Sequence, residues 1–199
     1  MKNLIFIISI LLFIACKEEK KVKLAEGVVD CNDLFQNNDG TWLLNNQPYT
    51  GICESYENGI IQSYSEFKDG LVNGKMKYFF PNGQIEEEVE WTNGLANGKV
   101  KYYHENGKVA ELGQVENESK EGIWKVYYPN GQLKNLENWK NGQLQDSVYS
   151  YFENGTMHSK GIFVNGKEDG RWVMFDSISG DVDGYLYYEN GEAIRAEKK

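Results

Sequence analysis

The chain has 199 residues and a formal net charge of −9 at pH 7. This length suits one domain of ordinary size, and the acidic balance argues against a nucleic acid partner, because phosphate binding needs a basic surface. Aromatic residues make up 14% of the chain, with 21 glycines and only 3 prolines. Such a composition favours β-strands joined by tight turns.

Residues 1–15 differ in kind from the rest of the chain. A short positive start, Met1-Lys2-Asn3, precedes an apolar run from Leu4 to Ala15 that only Ser9 interrupts. The run is too short to cross a bilayer as a helix, which takes about 20 residues. We therefore predict a secretory signal peptide over residues 1–15; the alternative is a short buried helix.

The segment "FIAC" ends this run, and it resembles the lipobox of bacterial lipoproteins, with Phe13 in place of the usual Leu. The resemblance implies that the Cys16 thiol receives a diacylglyceryl group and becomes the mature N-terminus. Several acyl chains would then anchor the protein durably in a membrane. The alternative is ordinary cleavage without a lipid.

Four charged residues, Lys17-Glu18-Glu19-Lys20, follow the cysteine. The pattern C-K-E-E resembles the surface-export signal of Bacteroidetes lipoproteins, which implies an outer-membrane and surface-exposed location. A charged run is also typical of any solvated tether. We assign residues 16–33 to a charged tether.

Two further cysteines, Cys31 and Cys53, would lie in an oxidising compartment after export. An even pair there predicts a disulfide that fastens the N-terminal segment to the first repeat. Two buried thiols or a metal site are the alternatives. A metal site is poorly supported, because neither of the two histidines lies near a cysteine in sequence.

Turn glycines recur with a period of 24 residues. One series, each member preceded by Asn, is Gly59, Gly83, Gly107, Gly131 and Gly155, and it continues at Gly180 after a step of 25. A second series is Gly70, Gly94, Gly142, Gly166 and Gly191, with Glu118 in the place of its missing member. The third series marks the unit starts: Gly51, Gly74, Gly98, Gly122, Asp146 and Gly170. We predict six units over residues 51–195, a capping segment over residues 34–50 and a tail over residues 196–199.

Each unit predicts a strand, a turn and a second strand. Asn-Gly between apolar runs is a strong hairpin signal, because a type I′ turn needs positive φ at both central residues. Six units give about twelve short antiparallel strands. The predicted fold is all-β, an open single-layer meander or solenoid of hairpins.

Alternation along the strands predicts that both faces carry apolar columns. One face holds Met76, Val100, Trp124, Val148 and Trp172, and the other holds Phe79, Tyr103, Tyr127, Tyr151 and Phe175. We expect equivalent residues of successive units to stack, so that each unit is buried mainly against its neighbours. The end units should then be the least stable.

The segment "GIWKVYYPNGQLKNLENWKNG" (Gly122–Gly142) resembles the MORN-repeat variant found in bacterial proteins labelled YwqK-type antitoxins. The resemblance covers most of the chain after residue 38 and implies a single-layer meander of hairpins with no catalytic residue. Unit six departs from the pattern at "FDSISGDVDG", which has one extra residue. An antitoxin role fits poorly with a lipoprotein signal.

The sequence offers little catalytic chemistry. It contains no Cys-His pair, no G-x-S-x-G motif and no phosphate-cradling loop. His104 replaces an aromatic residue at a packing position, and the carboxylates of "IEEEVE" (Ile85–Glu90) fit a solvated strand better than a glycosidase pair. We expect no enzyme activity, no cofactor and no metal.

The regular column Phe79, Tyr103, Tyr127, Tyr151 and Phe175 could face a ligand, because evenly spaced rings can bind sugars or choline groups. The competing interpretation is that these rings only pack the solenoid. Two functions follow: an envelope scaffold that binds an unknown protein partner, or a glycan or cell-wall binder.

Overall fold

The computed structural model describes residues 22–199. The predicted signal peptide, Cys16 and the start of the tether lie outside the described residues. Within them, no helix has the length and apolar character needed to cross a membrane.

Eighteen strands account for most of the described residues. They are β1 Val28–Asp30, β2 Phe35–Gln36, β3 Trp42–Leu44, β4 Gln47–Pro48, β5 Gly51–Glu57, β6 Ile60–Lys68, β7 Leu71–Phe79, β8 Ile85–Thr92, β9 Leu95–Tyr103, β10 Val109–Glu116, β11 Ser119–Tyr127, β12 Leu133–Lys140, β13 Gln143–Leu144, β14 Asp146–Tyr151, β15 Met157–Val164, β16 Lys167–Phe175, β17 Val182–Glu189 and β18 Glu192–Lys198. A short 3-10 helix, Cys31–Asp33, follows β1.

From β5 onward the strands pair antiparallel in chain order, except that β12 pairs with β14 and the short β13 pairs only with β12. The predicted all-β, open meander of hairpins is confirmed. At its first edge β1 adds one parallel strand, with Val28 opposite Ile52. At the other edge β18 pairs with β17.

Two segment boundaries differ from the sequence prediction. The end of the predicted tether, residues 28–33, forms β1 and the 3-10 helix. The predicted tail contributes to β18, which runs to Lys198. Both segments lack the repeat pattern, and backbone pairing with an open sheet edge makes them part of the fold.

The capping segment forms a separate three-stranded sheet, β2–β3–β4. It packs Trp42 and the buried Leu34 and Tyr49 against Cys53 and Phe67 of the main sheet. Its backbone also pairs with the β6–β7 turn, since Trp42 N donates to Gly70 O at 2.7 Å. Cys31 and Cys53 form a disulfide with their Cα atoms 4.9 Å apart, which fixes the 3-10 helix to β5.

Between Gly51 and Phe175 the turns are of two kinds, and the sequence predicted only one. Two-residue turns with positive φ at both positions, as type I′ requires, include Asn58-Gly59, Asn93-Gly94 and Asn141-Gly142. The turn after β7 instead spans three residues, Pro81–Gly83, and only Gly83 has positive φ. There Gly83 N donates to Phe80 O and Phe80 N donates to Gln84 O, both at 2.8 Å.

The same three-residue turn recurs at Gly107, Gly131 and Gly155, where the type I′ prediction is wrong. The physical reason is clearest at Pro81 and Pro129. A two-residue turn on the following Asn-Gly would need the N–H of the residue before Asn to close it, and proline has no N–H. The closing bond is therefore made one residue earlier, by Phe80 N and Tyr128 N.

One face of the sheet carries most of the apolar residues, and we call it the apolar face. Its central cluster is Val89, Val100 and Trp124, all buried. Trp124 lies on Gly113 of the neighbouring strand, where a Cβ would overlap the indole ring. Its Nε1 donates to Gln114 O at 3.0 Å. Trp172 covers Gly161 in the same way.

The two faces are less alike than the sequence predicted. The opposite face carries most of the strand lysines and several glutamates among scattered aliphatic and aromatic residues. Alternation assigned each column to the correct face of the sheet. The prediction ignored the charged residues between the columns, and these make one face more polar than the other.

Candidate functional site: the polar face of the sheet

We call the second face the polar face and define it by one row of cross-strand neighbours. The row consists of Glu54, Tyr64, Lys77, Glu88, Lys101, Leu112, Lys125, Leu136, Tyr149, Lys160, Val173 and Tyr185. A parallel row, two residues along each strand, contains Glu66, Lys75, Glu90, Lys99, Gln114, Ile123, Asn138, Ser147, Ile162 and Arg171. Hairpin periodicity therefore presents equivalent positions of successive units along one surface.

In the first two units the lysines of the polar face lie among glutamates. Lys77 Nζ lies 3.4 Å from Glu88 Oε2. Glu90 Oε2 accepts a hydrogen bond from Lys99 N at 2.9 Å. Glu66 accepts one from Lys75 N at 3.0 Å and another from the Tyr64 hydroxyl at 2.7 Å. These carboxylates therefore have partners within the sheet.

Glycine makes these carboxylate contacts possible at the unit starts. Gly74 and Gly98 have φ values of 119° and 131°, and a Cβ on either residue would overlap the side chain of Glu66 or Glu90 respectively. At these positions the strand pairing is interrupted and the carboxylate takes the free backbone N–H.

Burial and nearby carboxylates raise the pKa values of two tyrosines, Tyr64 and Tyr102. Burial, followed by the hydrogen bond to Glu66, raises the pKa of Tyr64 to about 12. Burial, followed by the charge of Glu87 on the neighbouring strand, raises the pKa of Tyr102 to about 12. The pKa of Glu87 is itself raised, chiefly by burial.

From the third unit on, the glutamates of the two rows are gone. In the third and fourth units, Leu112 and Leu136 occupy the position that Glu88 holds in the second unit. The lysine position is kept in both units, as Lys101 and Lys125. Here lies a hollow of about 550 Å³ lined by three lysines, Lys99, Lys101 and Lys125, with Leu112 and Ile123. Ile123 is 53% exposed. The surface thus changes from charge-paired to basic and aliphatic.

A smaller hollow of about 200 Å³ repeats this character two units later. Its lining includes Tyr149, Lys160, Ile162 and Arg171. Ile162 is also exposed.

The predicted aromatic column lies on the polar face, and its first four members lie beside the three-residue turns. All five members, Phe79, Tyr103, Tyr127, Tyr151 and Phe175, are half-buried. Lys160 Nζ lies 5.8 Å from the Phe175 ring centroid. Burial and the charge of Glu88 raise the pKa of Tyr103.

The rings of the column do not stack on one another. Each lies opposite an aliphatic residue of its own hairpin, as Phe79 does with Ile85 and Tyr127 with Leu133. Successive members are two strand spacings apart, about 9.6 Å. In residues 22–199 no close ring pair joins two members. The prediction of direct stacking is wrong for this column.

A ladder of asparagines links the units at the three-residue turns. Each asparagine donates from Nδ2 to a carbonyl 23 residues later: Asn82 to Glu105, Asn106 to Pro129, Asn130 to Glu153 and Asn154 to Ser177, at 2.8–3.0 Å. Its Oδ1 accepts the N–H two residues on, as Gln84 N donates to Asn82. From the sequence, these asparagines were assigned only a role in turn geometry. Their recurrence every 24 residues was the signal that could have indicated contacts between successive units.

The remaining chemical candidates make structural contacts. His104 Nε2 lies 3.0 Å from Tyr127 O of the next unit, and His158 packs edge-on to Phe152. Asp176, where unit six departs from the repeat, accepts hydrogen bonds from Ile178 N and Ser179 N, which lower its pKa. In the part of the chain that the structure describes, no three His, Cys, Asp or Glu side chains are grouped as metal ligands.

Three stretches of the chain match the MORN repeat variant: residues 72–93, 96–117 and 120–145. These three stretches include Lys77 and Glu88 of the charge-paired surface and all the residues that line the lysine-lined hollow. No curated protein matches the chain.

Among solved structures, the chain is similar to part of a mutant of S. aureus TarM in complex with Fondaparinux, alpha-GlcNAc-glycerol and UDP. The identity is 12% and the TM-score 0.33, over 48% of this chain and 19% of that one. The chain thus spans about a fifth of that protein's length.

Proposed function

We propose that this protein is a non-catalytic interaction scaffold, held at the cell envelope by a lipid on Cys16, that presents its repeats to a protein partner. One observation carries the proposal: the hairpin units form an open sheet whose polar face exposes basic and aliphatic side chains from several successive units. Repeat proteins use extended surfaces of this kind for binding.

The contacts of the candidate acid–base residues support a non-catalytic role. Glu66 and Glu90 accept backbone hydrogen bonds, Glu88 pairs with Lys77, and His104 lies against a backbone carbonyl. Each of these contacts joins neighbouring strands or units.

The scaffold proposal is tested by cross-linking of the full chain in envelopes of the cells that make it. A photo-reactive amino acid at Ile123 or Ile162 should yield the same protein adduct, and one at Val115 on the apolar face should not. Absence of a discrete adduct at any exposed position would contradict the proposal.

Anchoring is tested separately with Cys16→Ser. A lipid on Cys16 predicts that the wild-type chain sediments with membranes and that the variant appears in the soluble fraction. Equal membrane retention of both forms would remove the lipid from the proposal and leave the scaffold untouched.

A second candidate function is glycan binding through the aromatic column. The half-buried state of its rings favours it, because each ring leaves part of its surface open. Retention on peptidoglycan or polysaccharide should fall with Tyr103→Ala and Tyr127→Ala. Unchanged retention by folded variants would eliminate this candidate.

A further inference from the structure

The lysine-lined hollow is a local basic site on an acidic protein. Lys99, Lys101 and Lys125 surround it, against the single carboxylate of Glu121. That carboxylate already accepts a hydrogen bond from Asn141 N at 2.9 Å. In residues 22–199 none of the three lysines forms an ion pair or lies over an aromatic ring.

The repeat itself provides an internal comparison. Lys75 and Lys77 occupy the same unit positions as Lys99 and Lys101, one unit earlier. Lys101 lies between Glu88 and Leu112 in the row, and Lys125 lies between Leu112 and Leu136. Glu88 already pairs with Lys77, and Glu90 already accepts a hydrogen bond from Lys99 N. The later strands keep the lysines without adding glutamates, so positive charge exceeds negative charge around the hollow.

The side chains at the bottom of the hollow restrict the class of ligand that could bind there. Leu112 and Ile123 are aliphatic, and no aromatic ring lines the hollow on which a sugar could stack. The site is concave, so a flat lipid surface would not reach its floor. An extended polypeptide can insert an aliphatic side chain and bring flanking carboxylates to the lysines.

We propose that this hollow binds an acidic, extended peptide segment of a partner protein, with an aliphatic side chain on Leu112 and Ile123 and carboxylates on Lys99, Lys101 and Lys125. The inference rests on the proposed scaffold function and specifies its surface and partner chemistry. The distance from β9 to β11 is about 9.6 Å, so a segment of about four extended residues spans the hollow.

The test uses the folded chain and a fluorescein-labelled peptide of about seven alternating Glu and Leu residues, a length chosen to exceed that span. Fluorescence anisotropy should report binding that weakens as salt rises. The double variant Lys101→Gln/Lys125→Gln should weaken it about 10-fold, since each lost charge pair costs up to about 1 kcal/mol, or about fivefold. Ile123→Ser should weaken it about fivefold through lost apolar contact.

The matched control is Lys75→Gln/Lys77→Gln, which removes two lysines from the same strand face where glutamates are present. It should change the affinity less than about twofold. A peptide of alternating Lys and Leu should not bind, and one of alternating Glu and Ser should bind more weakly than the Glu-Leu peptide.

Several results would overturn the inference. They are no binding of the Glu-Leu peptide, an equal loss in test and control variants, or tighter and lysine-dependent binding of polygalacturonate or phosphatidylglycerol vesicles. None of these affects the scaffold proposal, which depends on the envelope adducts. If adducts form at Ile123 but persist in Lys101→Gln/Lys125→Gln, the scaffold stands and the acidic-segment inference fails.

Discussion

Glu118 is the residue at which the repeat departs most clearly from its turn rule. It has a φ of 65° in the β10–β11 turn, a position that glycine holds at Gly94, Gly142, Gly166 and Gly191. A side chain in this region costs about 1–2 kcal/mol, and the greater freedom of glycine in the unfolded chain offsets about 0.4–1 kcal/mol of that. We expect Glu118→Gly to raise the free energy of unfolding by about 0.5–1 kcal/mol, measured by urea denaturation.

The reverse change, Gly142→Glu, is the control for that prediction. A Cβ on Gly142 would lie 3.7 Å from Ser119 Cβ, an ordinary contact, so its cost is that of the backbone alone. It should lower stability by a similar amount. If Glu118→Gly leaves the urea midpoint unchanged, the left-handed conformation at residue 118 carries no measurable strain.

Tyr64 makes stability depend on pH in the alkaline range. Its pKa is raised from 10.0 to about 12 in the fold, so the folded state keeps a proton that the unfolded state releases. The stabilisation is complete below pH 10 and is lost as pH rises from about 10 to about 12. Tyr64→Phe should flatten the fall in unfolding free energy over this range. A fall equally steep in the variant would contradict the assignment to Tyr64.

At the scale of the element, the asparagine ladder couples each hairpin to the next. Asn82→Asp should keep the acceptor for Gln84 N–H but replace the Nδ2 donor by an oxygen facing Glu105 O. Loss of a hydrogen bond together with repulsion between oxygens should lower the free energy of unfolding by about 1–2 kcal/mol. Thermal and urea denaturation of the folded variant measure the change.

The control for the ladder is Asn58→Asp in the two-residue β5–β6 turn. There asparagine supplies a positive φ of 52°, a conformation that aspartate also tolerates. Its stability should change by less than about 0.5 kcal/mol. Equal losses in the two variants would mean that the inter-unit bond of Asn82 adds nothing to the turn.

The sequence predicted the hairpins because each depends on local chemistry. Asn-Gly at Asn93-Gly94 selects its turn without help from the rest of the fold, and alternation assigns the strand faces. The repeat pattern could not predict strand β1 or the carboxylate contacts of Glu66 and Glu90. Both features depend on which groups meet across the sheet, and the spacing of the repeats does not contain that information. The lysine-lined hollow was missed for a related reason. Lys77 and Lys101 occupy equivalent positions in the sequence repeat. They differ because the strand after Lys77 carries Glu88, whereas the strand after Lys101 carries Leu112.

At the scale of the whole molecule, the meander has nearest-neighbour connectivity. Strands β5 to β12 and β14 to β18 pair in chain order, so an internal unit is held by two neighbours and a terminal unit by one. Stability should then vary along the chain instead of being shared by one core. The two ends also differ, because β18 is exposed along its whole length whereas β5 lies under the capping sheet and β1.

The disulfide should therefore protect the first units and leave the last ones unaffected. It joins residues 22 apart, and Cys53 is 1% exposed in the cluster under the cap. A link that closes a loop of this size contributes about 3 kcal/mol. Cys31→Ser, which leaves the buried Cys53 side chain in place, should speed backbone hydrogen exchange in β5 and β6 by about 100-fold, the exchange equivalent of that energy. Exchange in β15–β17 should be unchanged, which provides a control within the same molecule. Uniform acceleration along the chain would show instead that the sheet unfolds as one cooperative unit.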